Sequence, residues 1–382
     1  MKVLHIGKYF PPFKGGIENF MADLIEQQVL DGHQVSSIVH NHRSQPFNKE
    51  CKNDFVLYNV PSYGQVAYAP MSPLFGYYLS KVITSENPDI IHIHMPNLSA
   101  FWCLLILKAR NIPWIIHWHA DVIGSVPDLK IKTLYPFYRV FEKTLLNKSY
   151  RVIATSNNYK TSSLPLKPYV NKVEVIPLGI KLDNSDVLRD SAESQHLRLI
   201  IIGRLTYYKG HKLILKAISK LKIEGIKFSL NIVGGGELQQ DIQNEIVSLN
   251  LDEEVSLLGK LSDAELYEEL GNSDLLCLPS IERTEAFGVV LLEAMRASKP
   301  CLVSDVEGSG MSWVVQDNKT GFVVENNSVD SIVKKLKYIT ENQELLSLYG
   351  KAGRERFERE FSIGVCSKRI TEIYNNAIEE SS

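Results

Sequence analysis

LIIIGRLTYYKG, residues 199–210, runs from an apolar strand pattern through Gly203 and a basic, aromatic-rich loop to Lys209 and Gly210. The chain opens in the same way. VLHIGKYFPPFKGG, residues 3–16, passes from apolar strand to Gly7, a basic residue, an aromatic loop and Lys14-Gly15. A short continuous apolar run of this kind suits a strand buried on both faces, as in a parallel sheet covered by helices. Two such starts divide the chain into two units.

Working outward from these starts gives the same organisation twice. After the first loop, IENFMADLIEQQVLDG reads as an amphipathic helix from Ile17, ended by Gly32. Strand patterns follow at QVSSIVH, DIIHIH (89–94), PWIIHW (113–118) and YRVIATS (150–156), with helical stretches between. Residues 181–196 are polar and aperiodic and read as a linker. A second strand series then runs through FSLNIVG (228–234), EVSLLG (254–259), DLLCLPS (274–280) and KPCLVSD (299–305). Residues 361–380 form a final amphipathic helix pattern. The predicted fold is α/β, with two Rossmann-like domains facing each other. Ligands of open α/β sheets bind outside the carboxyl ends of the strands, so both loop sets would meet in one cleft.

Composition narrows the function. A chain of 382 residues, 44% hydrophobic and 23% charged, fits a two-domain globular enzyme. A net charge of −2 gives no basic excess for nucleic acid. The five cysteines are odd in number and lack CxxC spacing, which suits reduced thiols. MKVLHIGKYF has no signal-peptide run, and FWCLLIL (101–107) is too short to cross a bilayer. A cytoplasmic protein is expected, with contact at a membrane surface left open.

Three stretches carry chemistry. In GRLTYYKGHKLILKAI (203–218) a strand ends at Gly203, Arg204 and Lys209 flank the turn, and a helix begins near His211. Two cations beside a helix N-terminus suit a diphosphate; the alternative is a turn with solvated surface charges. VGGGELQQDI (233–242) lacks the third glycine of GxGxxG and reads better as a packing turn. TEAFGVVLLEA (284–294) sets Glu285 and Glu293 eight residues apart. On a helix that would place the Cα atoms roughly 12 Å apart, against the 5–9.5 Å between glycosidase carboxylates. Glu285 instead falls in the loop before a helix that starts around Gly288. The free amides of Phe287 and Gly288 could then hold a ligand beside it. The alternative is a capping acid followed by a solvated one.

HIH (92–94) and HWH (117–119) each put two imidazoles on one side of a strand. Asp121 is the nearest acid that could complete a metal set. No D-x-D pair occurs, and no metal is expected. Hydrogen-bonded, partly buried histidine is the reading for His92, His94 and His117. His119, near the strand end, suits a cleft hydrogen-bonding group.

Taken together, Gly15-Gly16-Ile17-Glu18, His119, Gly203-Arg204…Lys209-Gly210 and Glu285-Ala286-Phe287-Gly288…Glu293 resemble the marks of GT-B glycosyltransferases of family 4, over essentially the full length. The last is that family's E-x7-E signature. The resemblance implies a retaining, metal-independent transferase that takes a hexose from a nucleotide diphosphate sugar. Residues 1–180, completed by a C-terminal helix at 361–382, would form the acceptor domain, and 181–360 the donor domain. Arg204 and Lys209 would neutralise the diphosphate, and Glu293 would hold the ribose. Glu285 would contact the sugar, with Phe287, Gly288 and Val289 lining the donor. Gly15 and Gly16 would let the first loop approach the phosphate. His119 would stand beside the sugar, stabilising developing positive charge or orienting a hydroxyl. HWHAD and SGMSWVV (309–315) look like bacterial mannosyl- and rhamnosyl-type O-antigen or exopolysaccharide transferases, with Ala120 where Ser is common. GDP-mannose is the first donor expected and a UDP-hexose the second.

For the acceptor, DLKIKTLYPFYRVFEKTLLNK (128–148) interleaves Lys130, Lys132, Arg139, Lys143 and Lys148 with apolar residues. Such a face could lie on anionic headgroups and reach a lipid-linked or glycan acceptor; an ordinary helix with a solvated basic face is the alternative. Two rival functions remain. A nucleotide-sugar epimerase or hydrolase would not need a G-G-x-E loop. A silent binding subunit would be expected to have lost Arg204, Lys209 or Glu285.

Overall fold

The computed structural model describes residues 1–13, 15–41, 45–66, 69–122, 129–182 and 196–381. Most of the expected linker, 183–195, lies outside the described residues. The chain divides into two compact units. One comprises Met1–Lys181 with Ser362–Ser382, the other Leu182–Phe361.

The first unit is built on β1 (Lys2–Ile6), β2 (Gln34–His40), β3 (Asn48–Lys52) and β4 (Phe55–Val60), with a small hairpin of β5 (Gln65–Val66) and β6 (Ala69–Pro70). It continues through β7 (Ile90–Met95), β8 (Trp114–Trp118), β9 (Arg151–Ala154) and β10 (Val173–Val175). The sheet order is β10-β9-β8-β7-β1-β2-β4-β3, parallel except for the β3–β4 pair. Every residue of β7 and β8 is buried, because helices cover both faces of the sheet centre. The β3–β4 hairpin was not read from the sequence. NKECK is polar and half-exposed at the sheet edge, where pattern reading has little apolar signal.

The second unit contains β11 (Leu197–Ile202), β12 (Phe228–Val233), β13 (Val255–Gly259), β14 (Leu275–Leu278), β15 (Cys301–Asp305) and β16 (Gly321–Glu325). They form an all-parallel sheet in the order β13-β12-β11-β14-β15-β16. The helix His211–Ile223 follows β11 and buries Ile214, Leu215, Ala217, Ile218 and Leu221, the 3–4 spacing of a sheet-facing stripe. Both units are thus doubly wound and Rossmann-like, as the alternating pattern predicted. The strand order reverses beside β1 in one and beside β11 in the other. That is where such sheets open a crevice at their carboxyl edge.

The chain returns to its first unit at the end. Ile363 donates its N–H to the Ile180 carbonyl at 2.9 Å. Gly179 sits so close that a Cβ there would lie 2.9 Å from Ile363 Cα. The helix Ile363–Ser381 then buries Cys366, Ile370, Ile373, Tyr374 and Ala377 and packs on the helix Gly16–Leu30. Ser367 Oγ donates to Asp31 at 2.6 Å, and Tyr374 meets Gln28.

Candidate active site

In the second unit the loops after β11 and β14 are locked together. Gly210 has φ +72°, and a Cβ there would come 1.9 Å from the Pro279 carbonyl oxygen, so no side chain fits. Ile281 donates its N–H to the Tyr208 carbonyl at 2.8 Å. This close approach brings Lys209 Nζ to 2.5 Å from a Glu285 carboxylate oxygen, with both side chains largely buried. The lysine stem lies across Gly203, whose missing Cβ leaves room for it. A buried ammonium needs a counter-ion, and the carboxylate supplies one. Arg204 is on the same loop but exposed, and makes no ion pair with a described residue.

Gly288, at φ +80°, is the N-cap of the helix Val289–Arg296 and offers no side-chain cap. Glu285 therefore does not cap the helix, since its carboxylate is turned to Lys209. The amides of Phe287, Gly288 and Val289 take no carbonyl partner among the described residues, as expected at a helix start. The Phe287 side chain is core, meeting Phe361 edge-on, so its backbone is what it can offer a ligand. Glu293 is half-buried one turn into the helix. The loop is pinned from β15: Gly310 donates its N–H to the Ala286 carbonyl at 2.7 Å, and Ser309 Oγ donates to the Glu285 carbonyl at 2.5 Å.

In the first unit, Gly15 is the N-cap of the helix Gly16–Leu30, and the Glu18 carboxylate folds into the space a Gly15 Cβ would take. His119 follows β8, its N–H donated to the Met95 carbonyl at 3.0 Å. Phe20 from the same helix lies edge-on to it. His119 is 4% exposed, and burial pushes its imidazole down to about 3. It is a neutral hydrogen-bonding group at ordinary pH.

The remaining histidines differ from expectation. His92, His94 and His117 are fully buried, not partly so, and His117 has no partner on either ring nitrogen among the described residues. Burial first, and neighbouring imidazoles second, hold all three well below the usual histidine range. One nitrogen from each lies within 4.8 Å of the others. Yet the rings are stacked in parallel, and both His94 nitrogens are already hydrogen-bonded, to His5 and His119. A metal there would have to break one of those bonds. Asp121 is committed elsewhere, accepting from Trp118 Nε1 at 2.8 Å and Ser163 Oγ at 2.7 Å.

Comparison with known proteins gives the family. Residues 14–184 match the profile described as Glycosyltransferase Family 4, and residues 189–356 match Glycosyl transferases group 1. The chain belongs to the family 4-like GT-B glycosyltransferases. It is 29% identical to the O-antigen chain mannosyltransferase C of Escherichia coli, over 100% of both chains. It is 26% identical to the D-rhamnosyltransferase WbpZ of Pseudomonas aeruginosa, over 95% of this chain and 92% of that one. Its fold matches sucrose-phosphate synthase from Thermosynechococcus elongatus with a TM-score of 0.80 at 19% identity, covering 99% of each.

Several residues of this glycosyltransferase that shape the site escaped sequence reading. Ser309 and Gly310 were noted only as part of SGMSWVV, and nothing local shows that they pin the Glu285 loop from another strand. His5, Gln28 and Tyr374 join the histidines from three different elements. His5 carried one legible signal, an inward position in an apolar strand that its neighbours repeat as HIH and HWH.

Proposed function

We propose that this glycosyltransferase is a retaining enzyme that moves a hexose from a nucleotide diphosphate sugar to a lipid-linked or glycan acceptor in O-antigen-type cell-surface polysaccharide synthesis. The observation that carries the donor site is the buried Lys209–Glu285 pair at the carboxyl edge of the second sheet. It stands where the strand order reverses and beside a helix start with open amides. An incoming diphosphate would take over Lys209 and draw in the exposed Arg204. That exchange releases Glu285 for the sugar hydroxyls, while Glu293 holds the ribose.

The chemistry follows from charge. As the C1–phosphate bond breaks, negative charge gathers on the leaving oxygen and an oxocarbenium-like centre forms. Fixed cations and amide dipoles at the phosphate stabilise that state more than the ground state. The acceptor oxygen bonds to C1 on the face the phosphate leaves, and a phosphate oxygen takes the acceptor proton. His119, neutral, orients a sugar hydroxyl. No metal is required in this scheme, because Arg204 and Lys209 compensate the diphosphate.

GDP-mannose is the first donor in this reading and a UDP-hexose the second; similarity to the mannosyltransferase and the rhamnosyltransferase supports that order. A panel of nucleotide sugars, scored by acceptor-dependent nucleotide release with and without EDTA, tests it. Turnover with GDP-mannose that survives EDTA is expected. Release independent of acceptor would favour a hydrolase, and loss restored by Mn²⁺ would overturn metal independence.

The helix Leu129–Lys148 fits acceptor approach at a membrane surface, for a reason other than its basic count. Arg139 is paired with Glu142 at 2.6 Å and is not free for headgroups, and the Lys130 side chain lies outside the described ones. Leu134, Phe137, Val140 and Phe141 are exposed beside Lys132 and Lys143. No described helix is long and apolar enough to cross a membrane. An apolar ridge flanked by lysines suits shallow insertion. Sedimentation with anionic liposomes that Phe137→Ser abolishes is expected; binding unchanged by that substitution would refute it.

A further inference from the structure

Five histidines share one face of the first sheet. His5 is in register with His92, and His94 with His117. His119 stacks 4.4 Å from His117, their planes 4° apart. Through four of them, all but His117, runs one hydrogen-bonded chain. His119 Nε2 meets His94 Nδ1 at 3.0 Å, and His94 Nε2 meets His5 Nδ1 at 3.0 Å. His5 Nε2 meets Gln28 Oε1 at 2.8 Å. The Gln28 amide nitrogen donates to the Tyr374 hydroxyl at 3.2 Å, and that hydroxyl bonds His92 Nδ1.

A neutral imidazole has one N–H and one lone pair, while an amide oxygen only accepts. Burial keeps these rings neutral. With the Gln28 amide oxygen facing His5, the chain therefore has one consistent proton order. Gln28 Oε1 requires His5 Nε2–H, which leaves His5 Nδ1 as an acceptor. His94 must donate to it from Nε2, which leaves His94 Nδ1 as an acceptor. His119 must donate to that from Nε2. His119 Nδ1 is then a bare lone pair, buried and without a partner among the described residues. Turning the Gln28 amide over would move every proton in the row and make His119 Nδ1 a donor instead.

We propose that Gln28 is a positioning residue for sugar transfer: through His5 and His94 its carboxamide fixes His119 as the Nδ1 acceptor for a hydroxyl of the donor sugar. This rests on the reading above that His119 faces that sugar. Tyr374, from the returning helix, accepts the amide N–H in this orientation.

The test is ¹⁵N NMR of histidine-labelled protein, which reports the tautomer without any substrate, together with kcat for donor turnover. In the wild type, His119 Nδ1 is expected to read as unprotonated. Gln28→Leu, and independently Tyr374→Phe should the first not fold, should give mixed tautomers at His119. Each should lower kcat by a few-fold to about tenfold, the size of one neutral hydrogen bond. Gln28→Glu keeps an acceptor facing His5 and should retain both the tautomer and most of kcat. An unchanged His119 tautomer in a folded Gln28→Leu or Tyr374→Phe protein overturns the relay. A changed tautomer with unchanged kcat leaves the relay intact but overturns the contact between His119 and the sugar, separating the two failures.

Discussion

At the scale of single residues, the clearest case is Lys209. Its ammonium is buried, its stem crosses a glycine, and its partner is one carboxylate. Lys209→Ala should lower turnover by about 10²-fold or more, since a donor aimed at developing charge contributes several kcal/mol. Nucleotide release measured at saturating donor checks this, and an unchanged rate would remove the lysine from the leaving-group site. The residue types at this site were legible in the sequence: Arg204, Lys209, Glu285 and Glu293 stand out as charges around glycines and strand ends. Their relation was not. That Lys209 and Glu285 are paired, while Arg204 stays in solvent, depends on Gly210 passing under Pro279. Such a contact, between Gly210 and Pro279 on two different loops, leaves no local pattern.

At the scale of elements, β1, β7 and β8 carry a polar row inside an apolar sheet. Burial pushes His5 down to about 4 and His119 to about 3, and holds His92, His94 and His117 well below the ordinary 6.5. The sign is fixed by proton uptake. Below about pH 6.5 the unfolded chain binds protons that the folded one does not, so stability is complete above that value and is lost as pH falls toward 4. Each histidine contributes a slope of up to about 1.4 kcal/mol per pH unit. In the second unit, His211 is the described histidine that burial lowers, to about 4. Urea unfolding at pH 8 and pH 5.5 should therefore show the first unit losing far more stability than the second. Equal losses would show that the row is solvated. The strands themselves were readable because they are short apolar runs; the row was half-readable, as HIH and HWH. What the sequence hid is that Gln28 and Tyr374, both on amphipathic helices, turn inward to meet it.

At the scale of the whole molecule, the two units are continuous with the chain in different ways. The second is one uninterrupted segment, whereas the first needs the helix Ile363–Ser381 to bury its side of the helix Gly16–Leu30. A chain stopped after Phe361 should keep the cooperative unfolding of the second unit and lose that of the first. Hydrogen exchange resolved by peptide would check this, and full protection of β1 and β7 in the shortened chain would refute it. The two-unit architecture was plain from the repeated strand–glycine–loop opening. The return of the final helix came from the family resemblance alone, because an amphipathic pattern shows that a face is covered and not by what. That return also sets an order of events at the ribosome. The unit translated first is the one finished last, since the segment bearing Tyr374 is made after the entire second unit. Until then the newborn chain holds one finished unit and one whose sheet-covering helix lacks its own support. A chain cut short before Tyr374 would carry its deficit in the unit made first.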